Sequence, residues 1–297
     1  MHKETSFIIG CMRFAEKTAA EMAQFIHFAA DNGMNWFDHA DIYGGGKSEQ
    51  VFGEALAGDS SLRREDFILQ SKCDICKGCY DLSREHIIAA VEGTLSRLKT
   101  DYLDILLLHR PDALVEPEEV AAAFDALEFS GKVRAFGVSN HKPSQIELLR
   151  KYVKQDLLYN QLQFSLAVSN MVANGMEVNM DTPGSVDHDD SVLDYCRLND
   201  ITIQAWSPFQ QPAWKGVFIG SPEYTALNQA MIELADSYNT TVTAIAAAWI
   251  LRHPAGIQII TGTTNEARLK EIKQAESVRL SREDWYRLYL AAGHILP

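Results

Sequence analysis

Four side chains of this 297-residue chain stand out together by type and by place. Asp38, Tyr43, Lys72 and His109 each follow closely on a short apolar run, at 34–37, 67–69 and 103–108. A phenol has a pKa of about 10, too high to exchange a proton readily at neutral pH. A nearby ammonium stabilises phenolate and lowers it. Lys72 is placed to do that for Tyr43, and Asp38 to pair with Lys72 and hold it. His109 would orient a substrate carbonyl or share the proton. This is a general-acid site with no obvious nucleophile or metal triad. It suits reduction of a carbonyl, with hydride from a cofactor and the proton from Tyr43. Ser139, Asn140, Asn160 and Gln161 follow the next two apolar runs. Taken singly, Asp38 reads as a loop residue or helix cap, Tyr43 as a half-buried aromatic, Lys72 as solvated and His109 as merely hydrogen-bonded. Taken together they point to a site, because buried strands rarely end in charge without reason.

Eight β-branched or apolar runs are placed to carry these residues, at 7–9, 34–37, 67–69, 103–108, 133–138, 158–162, 201–206 and 257–260. Several are continuously apolar, as expected for strands buried on both faces of a parallel sheet. Helical periodicity alternates with them over 18–31, 83–99, 116–130, 189–197, 221–238, 242–251, 265–275 and 281–292. Ser83 is the expected cap of the second of these, and Gly131 the stop of the third. A further helix opens at Pro143, before apolar residues at 146–149. Eight strands alternating with helices fit an α/β fold of the (β/α)8 TIM-barrel type with extra helices, one domain over 1–297. An open doubly wound sheet is the alternative, but no G-x-G-x-x-G follows the first strand. In such a barrel the strand C-terminal ends face the active site, which is where the four residues fall. The stretch 168–190 breaks the rhythm. It is polar, holds Gly175, Pro183 and Gly184, and carries Asp187, Asp189 and Asp190. It reads as a long irregular connection of functional interest. No interdomain linker or internal repeat is visible.

Composition narrows the partners. With 27 basic against 40 acidic residues, the net charge is −13. Phosphate backbones require clustered Lys and Arg, so no nucleic-acid partner is expected. An apolar fraction of 46% with 23% charged residues belongs to a soluble globular chain. There is no apolar run of about 18 residues, so no membrane span is expected. The segment Met1-His2-Lys3-Glu4-Thr5 lacks a signal-peptide core, and the cytoplasm is the expected location. Five cysteines, an odd number in a long chain, argue for reduced thiols rather than a disulfide scaffold.

The motifs then become specific. Phe37-Asp38-His39-Ala40-Asp41-Ile42-Tyr43-Gly44 matches the pattern D-x-A-x-x-Y-G. Ser71-Lys72, His109-Arg110-Pro111-Asp112, Gly137-Val138-Ser139-Asn140, Tyr159-Asn160-Gln161 and Trp206-Ser207-Pro208 follow it in order. Over essentially its whole length the chain resembles the aldo-keto reductases, and most closely bacterial members of unassigned substrate. The resemblance implies that Asp38, Tyr43, Lys72 and His109 form a catalytic tetrad with Tyr43 as proton donor. It implies that Ser139, Asn140 and Gln161 hydrogen-bond the nicotinamide carboxamide. Trp206 would stack on the nicotinamide ring, where many relatives have Tyr. Ser207, Pro208 and Phe209 would begin the loop over the pyrophosphate. The segment Gly262-Thr263-Thr264-Asn265-Glu266-Ala267-Arg268 resembles the adenosine-phosphate end of the cofactor site. There Thr263, Thr264 and Asn265 would donate to a phosphate at a helix start. Arg268 would stack on adenine or bind the 2′-phosphate, and Glu271 would lie near the adenine amine. A small-molecule carbonyl substrate and a monomer are the family expectations.

Several positions depart from the family pattern. Many relatives have a basic residue where Gly262 stands. NADPH remains the expected cofactor because Arg268 is present, with NADH an alternative. The chain ends soon after its last expected helix, so the substrate wall is expected from 168–190 and 73–80. Trp36, Trp206 and Trp214 suit either an apolar pocket or the core. Cys73, Cys76 and Cys79 form C-x2-C-x2-C directly after Lys72. A fourth cysteine at short spacing is missing, so loop-lining residues are the preferred reading. A metal site is not expected, and a redox-sensitive thiol lies between these readings. Two other functions compete with the reductase: a Schiff-base lyase using Lys72, and a non-catalytic cofactor-binding regulatory subunit on the same fold.

Overall fold

The computed structural model describes residues 5–296. Met1–Glu4, on which the leader reading partly rests, and the side chain of Trp214 lie outside the described residues.

All eight expected strands form: β1 Phe7–Gly10, β2 Trp36–Asp38, β3 Ile68–Cys73, β4 Leu103–Leu108, β5 Val133–Ser139, β6 Leu157–Gln163, β7 Thr202–Trp206 and β8 Gln258–Thr261. Hydrogen bonding closes them in sequence order into a parallel barrel. This is the (β/α)8 architecture that the alternation predicts. By contact density the chain divides into two compact units, 1–161 with 262–266, and 162–261 with 267–297.

The first unit holds β1 to β5 and most of β6. Its register brings Gly10 beside Asp38, Asp38 beside Gln70, Lys72 beside Leu107, and Ser139 beside Gln161. Helix α1, Ala19–Asp31, opens with a capping box in which Thr18 and Glu21 satisfy each other's backbone N–H. Helix α3, Arg84–Leu98, is capped by Ser83, whose Oγ accepts from the His86 N–H. Helices α4, Pro117–Phe129, and α5, Pro143–Arg150, both begin on proline, where the missing N–H is no loss. Helix α2, Lys47–Gly58, is not apparent in the apolar periodicity. Its inward face includes Ser48 and Glu49, both buried, so the apolar stripe is interrupted where a polar network takes over.

Segment 73–80 is a tight antiparallel hairpin pairing Ile75 with Tyr80 and Cys76 with Cys79. Gly78, at φ 85°, takes the left-handed turn position.

In the second unit, β7 and β8 pair Gln204 with Gln258 and Ala205 with Ile259. Stretch 168–190 is not the irregular connection that its polarity suggests. It contains α6, Asn170–Met176, with Met171, Val172 and Ala173 buried, and a 3-10 turn at Pro183–Ser185. Its polar residues bond to one another. Asn174 donates to Asp187 at 2.8 Å, and Thr182 Oγ1 donates to the buried Glu177 at 2.5 Å. Polarity here serves internal hydrogen bonding as well as solvation, since Asp187 and Asp190 remain exposed. Helix α7, Val192–Leu198, follows. The extra helices α8, Thr225–Ser237, and α11, Arg282–Ala291, pack together beside α9, Val242–Leu251. Trp249 and Trp285 stack at 4.8 Å, and each indole N–H donates to the other residue's carbonyl. Helix α10, Glu266–Lys273, follows β8 across the boundary in sequence.

Candidate active site

Strand alternation explains the placement of the first-unit residues. Asp38 is the last residue of β2, and Lys72 lies within β3 rather than after it. The polar run Gln70-Ser71-Lys72 does not end the strand because each side chain finds a partner. Gln70 Nε2 donates to Asp38 at 2.6 Å. Ser71, on the opposite face, donates to Glu49 at 2.7 Å. Lys72 Nζ donates to the Asp38 carboxylate at 2.8 Å, to the His39 carbonyl at 2.7 Å and to Tyr43 Oη at 3.2 Å. Three ammonium hydrogens thus have three acceptors.

Tyr43 is carried by a one-turn segment, Tyr43–Gly46, in which Gly44, Gly45 and Gly46 all have positive φ. At Gly44 a Cβ would also meet the Ala15 side chain at 2.6 Å. The sharp reversal needs glycine there, and it brings the phenol back over Lys72. His109 follows β4, and its backbone N–H donates to the Cys73 carbonyl at 3.1 Å. Its ring meets the Tyr43 ring edge-on, with centroids 6.2 Å apart. The four predicted residues are therefore brought together.

Electrostatics qualifies the sequence expectation for the phenol. Burial raises the Tyr43 pKa; Lys72 pulls it down but is outweighed. Tyr43 is thus held protonated rather than poised near neutrality. Burial works against the Lys72 ammonium, yet Asp38 and Tyr43 hold its pKa above the ordinary lysine value. Burial, with Lys72 adding, depresses His109 to about 2. It is a neutral imidazole able to donate one hydrogen bond.

The expected amide and hydroxyl partners adjoin this cluster. Ser139 Oγ donates to the Gln161 carbonyl at 3.0 Å, and Asn140 Nδ2 donates to Ser139 Oγ at 2.8 Å. Asn140 takes φ 59°, a conformation that asparagine tolerates. Gln161 Nε2 donates to Asp38 at 3.1 Å. Asn160 donates to the His141 carbonyl at 2.9 Å. Gln70 and His39 are hydrogen-bond neighbours of the cluster that the sequence reading missed. The signal for Gln70 was its two-residue spacing from Lys72, which puts both on one strand face.

Gly262 to Glu266 also belong to the first unit. Thr263 Oγ1 accepts from the Asn265 N–H at 3.2 Å, which is a capping turn, and Thr264 is half-buried beside it. Arg13, unremarked in the sequence, donates to the Gly262 carbonyl at 3.4 Å and so places a guanidinium beside this segment.

In the second unit, Trp206 ends β7 half-buried. Ser207, at φ 52°, and the Gln210 N–H bonded to its carbonyl make the tight turn that follows. The Phe209 carbonyl accepts from the Phe218 N–H. Arg268 is exposed on α10, and Glu271 accepts from Thr243 Oγ1 at 3.3 Å. Trp36 is core, with its ring edge-on to Tyr159.

The three cysteines after Lys72 do not share one environment: Cys73 is buried, Cys76 half-buried and Cys79 exposed. Among the described residues no three His, Cys, Asp or Glu side chains converge as metal ligands. No described helix is long and apolar enough to cross a membrane.

The closed parallel barrel agrees with comparison to known proteins. The sequence model of the Aldo/keto reductase family matches residues 6–290. The uncharacterised oxidoreductase YcsN of Bacillus subtilis (strain 168) is 37% identical, over 94% of this chain and 90% of its own. A 6-dehydroglucose reductase of Novosphingobium aromaticivorans is 36% identical, over 97% of this chain and 92% of its own. An aldo-keto reductase from Klebsiella pneumoniae, solved in complex with NADPH, shares the fold with a TM-score of 0.76 at 23% identity, over 98% of this chain and 92% of its own. The chain belongs to the aldo/keto reductase family, a family of NAD(P)H-dependent oxidoreductases that reduce carbonyl compounds.

Proposed function

We propose that this protein reduces an aldehyde or ketone to an alcohol using NADPH, with Tyr43 as the proton donor. The observation that carries the reading is the chain Asp38–Lys72–Tyr43, bonded at 2.8 and 3.2 Å. A nicotinamide fits the donor set. Ser139, Asn140 and Gln161 offer hydroxyl and amide groups to its carboxamide, and Trp206 an aromatic face to its ring. Ser207 and Phe209 begin the loop assigned to the pyrophosphate. Thr263, Thr264 and Asn265 open α10, where backbone N–H groups favour an anion. Gly262 contributes no side chain. Arg13 and Arg268 supply the guanidinium groups for the 2′-phosphate and adenine, and Glu271 an acceptor for the adenine amine. When bound, the nicotinamide supplies hydride.

The chain's own residues do the rest. His109, neutral, donates a hydrogen bond to the substrate carbonyl oxygen and fixes its direction. Tyr43 transfers its proton to that oxygen as negative charge develops there. Lys72 stabilises the phenolate left behind, and Asp38 holds Lys72, with Gln70 and Gln161 donating to its carboxylate. Lys72 has all three hydrogens engaged and its pKa raised, so it is no free amine for Schiff-base chemistry. Two relatives named 6-dehydroglucose reductase put sugar aldehydes first on a substrate panel.

Tyr43→Phe is the test. The variant should bind NADPH as tightly as the parent, read by tryptophan fluorescence. Carbonyl reduction should fall about 10²- to 10⁴-fold, the usual worth of a positioned acid. Reduction at the parent rate would overturn the acid assignment. Equal affinity for NADH and NADPH would overturn the cofactor preference. Cofactor binding without reduction of any aldehyde by the parent would favour the regulatory subunit.

A further inference from the structure

We propose that Cys76 and Cys79 are a thiol–disulfide exchange site, which takes a low-molecular-weight disulfide and closes to a cross-strand disulfide. The proposal stands apart from the carbonyl chemistry. Three observations carry it.

The two cysteines are direct partners in the hairpin Ile75–Cys76 with Cys79–Tyr80. Directly opposed antiparallel residues have Cα atoms about 4.5–5.5 Å apart. A disulfide spans about 4.4–6.8 Å, so closure needs rotation about side-chain bonds rather than backbone movement. The turn between them, Lys77-Gly78, is only two residues long, and Gly78 takes its left-handed position.

Access is graded. Cys79 is exposed and Cys76 half-buried, whereas Cys11, Cys73 and Cys196 are buried. Burial of the latter three leaves the hairpin pair as the sulfurs that a solute can reach.

A base stands beside the inner sulfur. The His86 ring nitrogens lie 3.7 and 3.9 Å from Cys76 Sγ. Burial raises the Cys76 pKa, with Cys79 and Asp81 adding to it. The exposed Cys79 is accordingly the attacking thiol, and Cys76 the resolving one.

The steps balance. Cys79, as thiolate, attacks one sulfur of R–S–S–R, forms Cys79–S–S–R and releases RS⁻. Cys76 passes its proton to the His86 imidazole and attacks the Cys79 sulfur. The Cys76–Cys79 bond forms, the mixed disulfide breaks, and the second RS⁻ leaves. Two electrons pass from the protein thiols to the small disulfide, which becomes two thiols.

The test uses the full chain with oxidised glutathione at mildly alkaline pH, followed by denaturing alkylation and peptide mass mapping. Free thiols should fall from five to three. The loss should map to Cys76 and Cys79 as a species lacking two hydrogens, and dithiothreitol should reverse it. Cys76→Ser should stop at a glutathione adduct on Cys79. Cys79→Ser should retain its remaining thiols. A parent protein that keeps five thiols overturns the proposal. So does one that halts at the glutathione adduct, or one that loses thiols at Cys11, Cys73 or Cys196. Exchange that begins only after a chelator is added also overturns it, since a bound soft metal would then hold the pair. The parent measurement decides the matter even if a variant fails to fold.

Discussion

At the scale of single residues, burial is the largest influence on Tyr43, His39 and His109, whereas at Lys72 the neighbours prevail. His109 illustrates this. Its Nδ1 is buried without a partner, and its pKa sits at about 2. His39 is fully buried, with both ring nitrogens unpartnered and a pKa of about 3. Burial lowers both, and the nearby Lys72 adds to the effect. In ¹⁵N-histidine spectra of the cofactor-free protein, both rings should keep the signature of neutral imidazole from pH 8 down to pH 5. Resonances are assigned by loss in His109→Gln. A midpoint near the ordinary value of about 6.5 would show a charged ring and remove the donor role proposed for His109. The tetrad residue types and their spacing were legible from sequence. The net direction of the Tyr43 shift was not, because a sequence names the neighbouring ammonium but not the depth of burial.

At the scale of elements, the network around Glu49 holds β3, the strand that carries Lys72, to its helices. Glu49, on α2, is fully buried and accepts from Ser71 Oγ of β3 at 2.7 Å. From α3 it accepts Thr94 Oγ1 at 3.2 Å and Arg97 Nε at 2.7 Å. Ser71 neighbours Lys72, so the network anchors β3 on the face opposite the tetrad. Glu49→Ala would strip three donors of their acceptor. It should cost about 1–3 kcal/mol, the usual penalty for leaving buried donors unsatisfied, because the Arg97 side chain is partly exposed and can be solvated. Urea denaturation would read this, and a loss below about 1 kcal/mol would show that water replaces the carboxylate. Glu49→Gln keeps an acceptor and should lose less. The same network explains why α2 was invisible as a periodic helix: the polar Ser48 and Glu49 interrupt the inward stripe of Val51, Phe52 and Ala55. Helix α6 hid for a related reason, since the acidic residues after it serve as acceptors within the segment.

At the scale of the whole molecule, opposing buried groups predict a stability optimum in mildly acidic solution. His39, His109 and His141 have folded pKa values of about 3, 2 and 4. The unfolded chain binds protons at these positions from about pH 6.5 downward, so stability falls as pH drops below that value. Asp41 and Asp74 behave oppositely. Burial raises them to about 6 and 8. The folded chain holds their protons where the unfolded chain has released them, so stability falls as pH rises from about 4 toward 8. Between pH 4 and 6 the three histidines outweigh the two carboxyl groups. Above pH 6.5 Asp74 remains as the unfavourable group. Thermal melts of the cofactor-free protein should peak near pH 6–6.5 and decline by pH 8. Asp74→Asn should flatten the alkaline decline, since the amide oxygen can still accept the Arg110 N–H that Asp74 now accepts at 3.0 Å. An alkaline decline unchanged in that variant would place its cause elsewhere.

The sequence by itself determined the barrel, because strand and helix periods and their stop signals are local properties. It also singled out Asp38, Tyr43, Lys72 and His109, each placed after a recognisable apolar run, and the structure gathers them in one cluster. The tertiary structure decided what locality cannot encode. Barrel closure brings Asp38, Gln70 and Gln161 onto one carboxylate, although Asp38 and Gln161 lie 123 residues apart. It sets Arg13 beside Gly262, 249 residues away. It resolves the C-x2-C-x2-C run into one buried sulfur and a paired hairpin. Burial, charge and pairing are sums over neighbours distant in sequence, and only folding fixes who those neighbours are.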